Sequence, residues 1–174
     1  NILSDPSDYL KIKSEIKPYI KRRTKKEVAT ELPDLIEQEV ILDLTPQQKS
    51  DYSAIYDNRK NYESMFEVLN ELKQVCNFSK KNKTSSKMEM LELIVDDVYE
   101  NNGKILVFSQ YVQTLLEIQK NLKHSGVYLF HGGLDKNKKN QTIEEFKNTE
   151  KPAVLLVSLK AVSYTHLRAH ETFA

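Results

Sequence analysis

The chain has 174 residues, 39% of them hydrophobic and 29% charged, so it can bury the core of one domain, with or without a small appendage, and is not a disordered polymer. Its 26 Lys and Arg offset 25 Asp and Glu to a net charge of +1, so overall charge selects no partner and only local clusters can. A single cysteine, Cys76, forms no internal disulfide and reads as a small apolar filler in a reducing, cytoplasmic setting. No apolar run nears the ~18 residues of a membrane span, and no signal pattern opens the chain.

Residues 11–26, KIKSEIKPYIKRRTKK, carry eight basic side chains against the lone acid Glu15. They form either a solvated helical face or a surface for phosphates, where each neutralised charge releases counterions. EQEVILDLT (37–45) alternates through Val40 and Leu42 and predicts a strand. TPQQ then opens a helix, with Thr45 as N-cap, Pro46 in the first turn, and Tyr52, Ile55 and Tyr56 at helical spacing. A second helix near 65–75 places Phe66, Leu69, Leu72 and Val75 on one stripe. NFSKKNKTSSK (77–87) is polar and predicts a loop and an internal boundary.

Beyond that loop, element types alternate. Met88, Leu91, Ile94 or Val95, and Val98 make an amphipathic helix. KILVF (104–108) is a continuous apolar run, expected to be a strand covered on both faces. QTLLEIQKNLKH is a helix for which Gly126 is the expected C′ stop, followed by the strand VYLFH, a helix over 135–146 and the strand AVLLVS. The order αβαβαβ predicts an α/β fold with a parallel sheet and right-handed crossovers. Ligands of such sheets bind beyond the carboxyl ends of the strands. Those ends read SQY, HGG and SLKA. Ser109, Gln110, Ser158 and Lys160 bring hydroxyl, amide and ammonium groups, and Gly132 and Gly133 permit positive φ and close backbone approach. Such groups read phosphates without reading bases.

Taken in order, PYIKRRTKKEVATELPDLIEQEVILDLTPQQKSDY, LNELKQVCN, SSKMEMLELI, KILVFSQY, FHGG and VLLVSLKA resemble the second, C-terminal helicase lobe of SWI/SNF-type superfamily-two ATP-dependent DNA translocases, with FHGG nearer to bacterial or phage members. The resemblance covers residues 16–161 and implies a RecA-like sheet with flanking helices and a small helical protrusion. It divides the chain into a basic lobe-junction segment and lead-in strand (1–44), a protrusion (45–78), a polar loop (79–87), a partial RecA-like lobe (88–161) and a tail (162–174). It implies contacts to the phosphates of double-stranded DNA by Ser109, Gln110, His131, Gly132, Gly133, Ser158 and Lys160, with Arg22 and Arg23 near the lobe junction. After QVCN the family continues His-Pro, whereas this chain has Phe78 and Ser79.

ATP chemistry in such proteins needs a P-loop lysine and an acidic Mg²⁺ box on a first lobe, and a motif VI arginine on the second. Neither set of words occurs here, so ATP and Mg²⁺ belong to an intact parent protein, and this chain, truncated within motif V, is expected to be inactive alone. The tail VSYTHLRAHETFA departs abruptly from the family pattern and resembles translated adaptor sequence. His166 and His170 have a helical metal-pair spacing, but HLRAH lacks the Glu of a zinc peptidase and a clear third ligand, so no metal site is expected. The uncompleted sheet should leave AVLLVS with an unpaired edge and make the chain poorly soluble. The alternative is a stand-alone nucleic-acid-binding module on the same scaffold. RRTKKEV and QVCN argue against an RNA helicase, and a purely structural domain stays open.

Overall fold

The computed structural model describes residues 36–162 together with Ile12, Glu15 and Tyr19. Arg22, Arg23, His166 and His170 lie outside the described residues. The chain divides into the units Asn1–Val40 and Ile41–Ala174, and the second holds the helices and strands from Pro46 onward.

Residues 36–45 form no strand, and Ile41 is 89% exposed. Alternation specifies which face a strand would show, but a ladder also needs a neighbour with free amides, and none of the described strands pairs with this stretch. Helix α1 (Pro46–Asp57) starts as expected. The Thr45 hydroxyl accepts from the Gln48 amide, and Gln48 reaches back to the Thr45 N–H in a capping box, with proline in the first turn.

Helix α2 (Met65–Val75) is capped by Ser64, whose hydroxyl accepts from the Glu67 N–H. Ile55 of α1 packs against Val68, Leu72 and Val75 of α2. The buried stripe is thus rotated from the expected one: Val68 is inside, and Phe66 and Leu69 are exposed. Two apolar arcs share Leu72 and Val75, and the partner helix selects the arc with the β-branched side chain. Buried Gln48 ties α1 to its surroundings, because its Nε2 donates to the Val75 carbonyl at 2.8 Å.

The polar loop lies inside the second unit and is fastened there. Ser79 is buried, its N–H donates to the Thr84 carbonyl (2.9 Å), and its Oγ accepts from the Thr84 N–H (2.8 Å). Phe78 joins the core beneath the sheet. Cys76, at the C-cap of α2, is half-buried. Helix α3 (Ser86–Glu100) starts on the Ser85 cap and stops where Asn102 turns left-handed at φ 51°.

There follow β1 (Lys104–Ser109), α4 (Val112–Asn121), β2 (Val127–Phe130), α5 (Lys136–Asn148), β3 (Ala153–Ser158) and the single turn α6 (Leu159–Val162). The three strands are parallel in the order β1-β3-β2. One face, with Val107, Val154, Leu156 and Leu129, packs against Met88 and Val95 of α3 and Leu115 and Ile118 of α4. The other, with Leu155, Val157 and Phe130, is covered by Ile143 and Phe146 of α5.

Three expectations change. β3 is the central, wholly buried strand rather than an open edge. β1 is an edge covered on one face only, with Leu106 47% and Phe108 49% exposed where α5 does not reach. Both strands are continuous apolar runs, so composition cannot say which pairs on two sides. Gly126 does not stop α4, which ends at Asn121. Its φ of +77° turns the chain into β2, where its carbonyl accepts from the Val154 N–H.

Candidate nucleic-acid interface

Parallel strands end at a common rim, and the register shows how closely. Ser109 is the partner of Ser158, and Phe130 is the partner of Val157, so His131 stands level with Ser158 on the other side of it. The tips SQY, SLKA and HGG therefore run side by side across the sheet in the order β1, β3, β2. Gln110, Gly132 and Lys160 are exposed on this rim.

At the first tip, the half-buried Ser109 hydroxyl accepts from the Tyr111 N–H at 3.1 Å, an ST-turn that closes the strand and starts α4. The Tyr111 hydroxyl is 3.0 Å from Asn70 Oδ1 and donates to it, joining this tip to α2. Gln110, between these anchored neighbours, is exposed.

At the second tip, His131 Nδ1 accepts from the Gly133 N–H at 3.2 Å, which assigns the neutral ring's proton to Nε2. A Cβ on Gly133 would lie 3.1 Å from the imidazole, so glycine there makes room for the ring. Gly132 has open space around it, and neither glycine uses the positive φ it permits. The Gly132 carbonyl accepts from Lys139 Nζ at 3.0 Å. Asp135 caps α5, its Oδ1 accepting from the Lys138 N–H at 2.9 Å.

At the central tip, Lys160 is exposed but Ser158 is only 1% exposed, and its hydroxyl has no hydrogen-bond partner among the described residues. Ser158 is thus not available as a surface phosphate contact. A central strand keeps its last side chain under both neighbours, and only the turn after it emerges. Lys136, Lys138 and Lys139, which the sequence reading did not single out, follow FHGG and start α5 beside the second tip. In the sequence they form a lysine-rich run that begins six residues after the end of β2. Among the described residues, no group of three or more His, Cys, Asp or Glu could hold a metal ion, and no helix is long and apolar enough to cross a membrane.

A three-stranded parallel sheet with helices packed on its faces is the fold of a RecA-like C-terminal helicase lobe. The family profile of the helicase conserved C-terminal domain matches residues 86–164. The chain is 30% identical over 159 residues to a protein of Mycoplasma pneumoniae described as an uncharacterized ATP-dependent helicase, covering 83% of this chain and 15% of that protein. It is 29% identical over 171 residues to the putative ATP-dependent helicase/translocase YwqA of Bacillus subtilis, covering 84% of this chain and 18% of YwqA. It therefore spans under a fifth of either relative. The SWI2/SNF2 ATPase core domain of Sulfolobus solfataricus superposes with a TM-score of 0.64 at 28% identity, over 89% of this chain and 37% of that one. The same core in complex with dsDNA gives 0.58 at 26% identity, over 89% and 38%. Residues 86–164 thus match a helicase conserved C-terminal domain, and the chain is similar to the C-terminal lobe of SWI2/SNF2-type ATPases.

Proposed function

We propose that this lobe is the phosphate-tracking half of an ATP-driven translocase on duplex DNA. The observation that carries the reading is the common rim on which Gln110, Gly132 and Lys160 are all exposed. An ammonium, an amide and an open backbone contact the sugar-phosphate chain without selecting bases, as a motor that steps along any sequence requires. Lys136 and Lys138 extend the cationic edge, while Lys139 holds the Gly132 carbonyl and so fixes the glycine turn. His131 and Gly133 shape that turn, and Ser109 positions Gln110.

A first lobe in the parent protein supplies the P-loop and Mg²⁺ ligands. Closure of the two lobes on ATP, and opening after hydrolysis, moves this rim along one strand. Arg22 and Arg23 belong to the lobe junction in this scheme. The layout is a junction segment at 1–44, a protrusion at 45–78, a loop at 79–87, the lobe at 88–161 and a non-native tail at 162–174. Alone, the chain binds duplex DNA and does not hydrolyse ATP. Support comes from the relatives, which are named as ATP-dependent helicases, and from the Sulfolobus core bound to dsDNA.

The test is filter binding of a blunt duplex across a salt series. Binding should weaken as salt rises, and Lys160→Ala should reduce the log–log slope by about one. Gln110→Ala should weaken binding without changing the slope. If neither substitution alters salt-sensitive binding, the rim is not the contact surface. The relatives' names support the translocase over a stand-alone binding module. DNA-stimulated ATP hydrolysis by the full-length parent, absent from this chain, separates the two readings.

A further inference from the structure

Beside the first strand tip, a cleft of about 520 Å³ opens between α2, the end of β1 and the start of α6. That volume falls within the roughly 300–1,000 Å³ of small-ligand sites. Its charge is one-sided: Lys73 and Lys87 line it and no carboxylate does. Lys87 Nζ donates to Asn77 Oδ1 at 3.1 Å, and Asn77 Nδ2 donates to Thr114 Oγ1 at 3.3 Å. The ammonium is thus positioned by a neutral amide and keeps its charge for an anion.

The opposite side is apolar. Phe108, 49% exposed on the sheet face that α5 leaves bare, and Leu159 of α6, also 49% exposed, line it, and Leu69 faces the cleft from α2. The Tyr111–Asn70 hydrogen bond ties α4 to α2 and holds the walls at a set separation. Ser109 and Gln110 line the cleft and also form the β1 tip of the rim, so a chain lying on the rim is adjacent to it.

We infer that this cleft seats one unpaired nucleotide of a DNA strand, with its phosphate on Lys73 and Lys87 and its base against Phe108. This rests on the rim reading given above. An acidic peptide would satisfy the charge, but a flat aromatic wall suits a base, and continuity with the rim favours the polymer already there. In an intact duplex the bases stay stacked, so only an unpaired or extruded one enters.

The experiment compares two fluorescent duplexes on the 174-residue chain, one fully paired and one with a single unpaired 2-aminopurine. The unpaired nucleotide should raise affinity about tenfold, the scale of one base–aromatic stack, and its fluorescence should be quenched on binding. Phe108→Ser, and separately the exposed Lys87→Ala, should each remove most of that preference, with far-UV circular dichroism confirming that each variant folds. Equal affinity for both duplexes overturns the cleft assignment and leaves the rim reading standing. Binding of neither overturns both. A preference that survives both substitutions, or a change from dimer to monomer in Phe108→Ser with the preference intact, assigns the apolar wall to something other than a base.

Discussion

Gln48 offers the sharpest test of how α1 and α2 are joined to α3. It is 1% exposed, yet polar. Its Nε2 donates to the Val75 carbonyl at 2.8 Å, and its Oε1 accepts from the Thr45 N–H at 3.1 Å and lies 3.4 Å from the Ser86 N–H. One side chain thus connects the start of α1, the end of α2 and the start of α3. Gln48→Ala orphans a buried helix-end carbonyl, at about 1.5 kcal/mol, and a partly wet amide, at about 0.5 kcal/mol. The space left behind adds about 1 kcal/mol. The total, about 3 kcal/mol, corresponds to a fall in Tm of roughly 9 °C for a chain of this size. Gln48→Met keeps the volume and loses only the hydrogen bonds, so it should cost about 2 kcal/mol. Urea unfolding followed by circular dichroism and tyrosine fluorescence measures both, and coincident transitions validate the free energies. A Gln48→Ala loss below roughly 0.5 kcal/mol, the range of an ordinary surface substitution, would refute the reasoning.

Other perturbations separate the two sides of β1. Val107→Ala, facing the α3 and α4 side, should cost about 1–2 kcal/mol in urea unfolding, whereas Leu106→Lys on the open face should leave stability nearly unchanged and reduce self-association in light scattering. Gly126→Ala should destabilise by about 1–2 kcal/mol, since φ is +77° and the new Cβ would meet the Pro152 carbonyl at 3.1 Å. Gly132→Ala, with open space and no positive φ, should be neutral or slightly stabilising in the same melt. Burial, with a smaller contribution from Tyr128, raises the Tyr99 hydroxyl above its usual 10.0, and the hydrogen bond that Lys80 donates to Glu71, opposed by burial, raises Lys80 above 10.5. Both native states hold their protons more tightly than the unfolded chain. Both contributions are therefore complete below about pH 10 and are lost as pH rises through the raised values. Melts from pH 8 to 11 should show stability falling at the alkaline end, and Tyr99→Phe should flatten part of that fall.

The order of elements was legible because each carries a local signal. Thr45 and Pro46 announce α1, the αβαβαβ alternation announces a parallel sheet, and Asp135 opens α5. What was not legible depends on partners. The 37–45 stretch has strand periodicity but no neighbour to pair with. Phe66 and Leu69 occupy an arc as apolar as the one actually buried. KILVF and AVLLVS read alike, yet one is an edge and the other the centre, and strand order is a property of pairing. That same order decides the candidate site. It puts Gln110, Gly132 and Lys160 on one exposed rim and withdraws Ser158 from it. The Asn77–Lys87 and Tyr111–Asn70 bonds span gaps in sequence that no local pattern records.

β3 is the last of the described strands to be made, yet it stands between the other two. β1 and β2 share no ladder, so neither has a hydrogen-bonded neighbour until β3 arrives. At a synthesis rate of ~5–20 residues per second, the roughly fifty residues separating the end of β1 from the end of β3 take several seconds to follow. During that interval Ile105, Val107 and Leu129 are apolar side chains on strands that have nothing to close against. The nascent protein is thus most vulnerable while still attached to the ribosome, where a holdase chaperone could shield strands that have not yet paired.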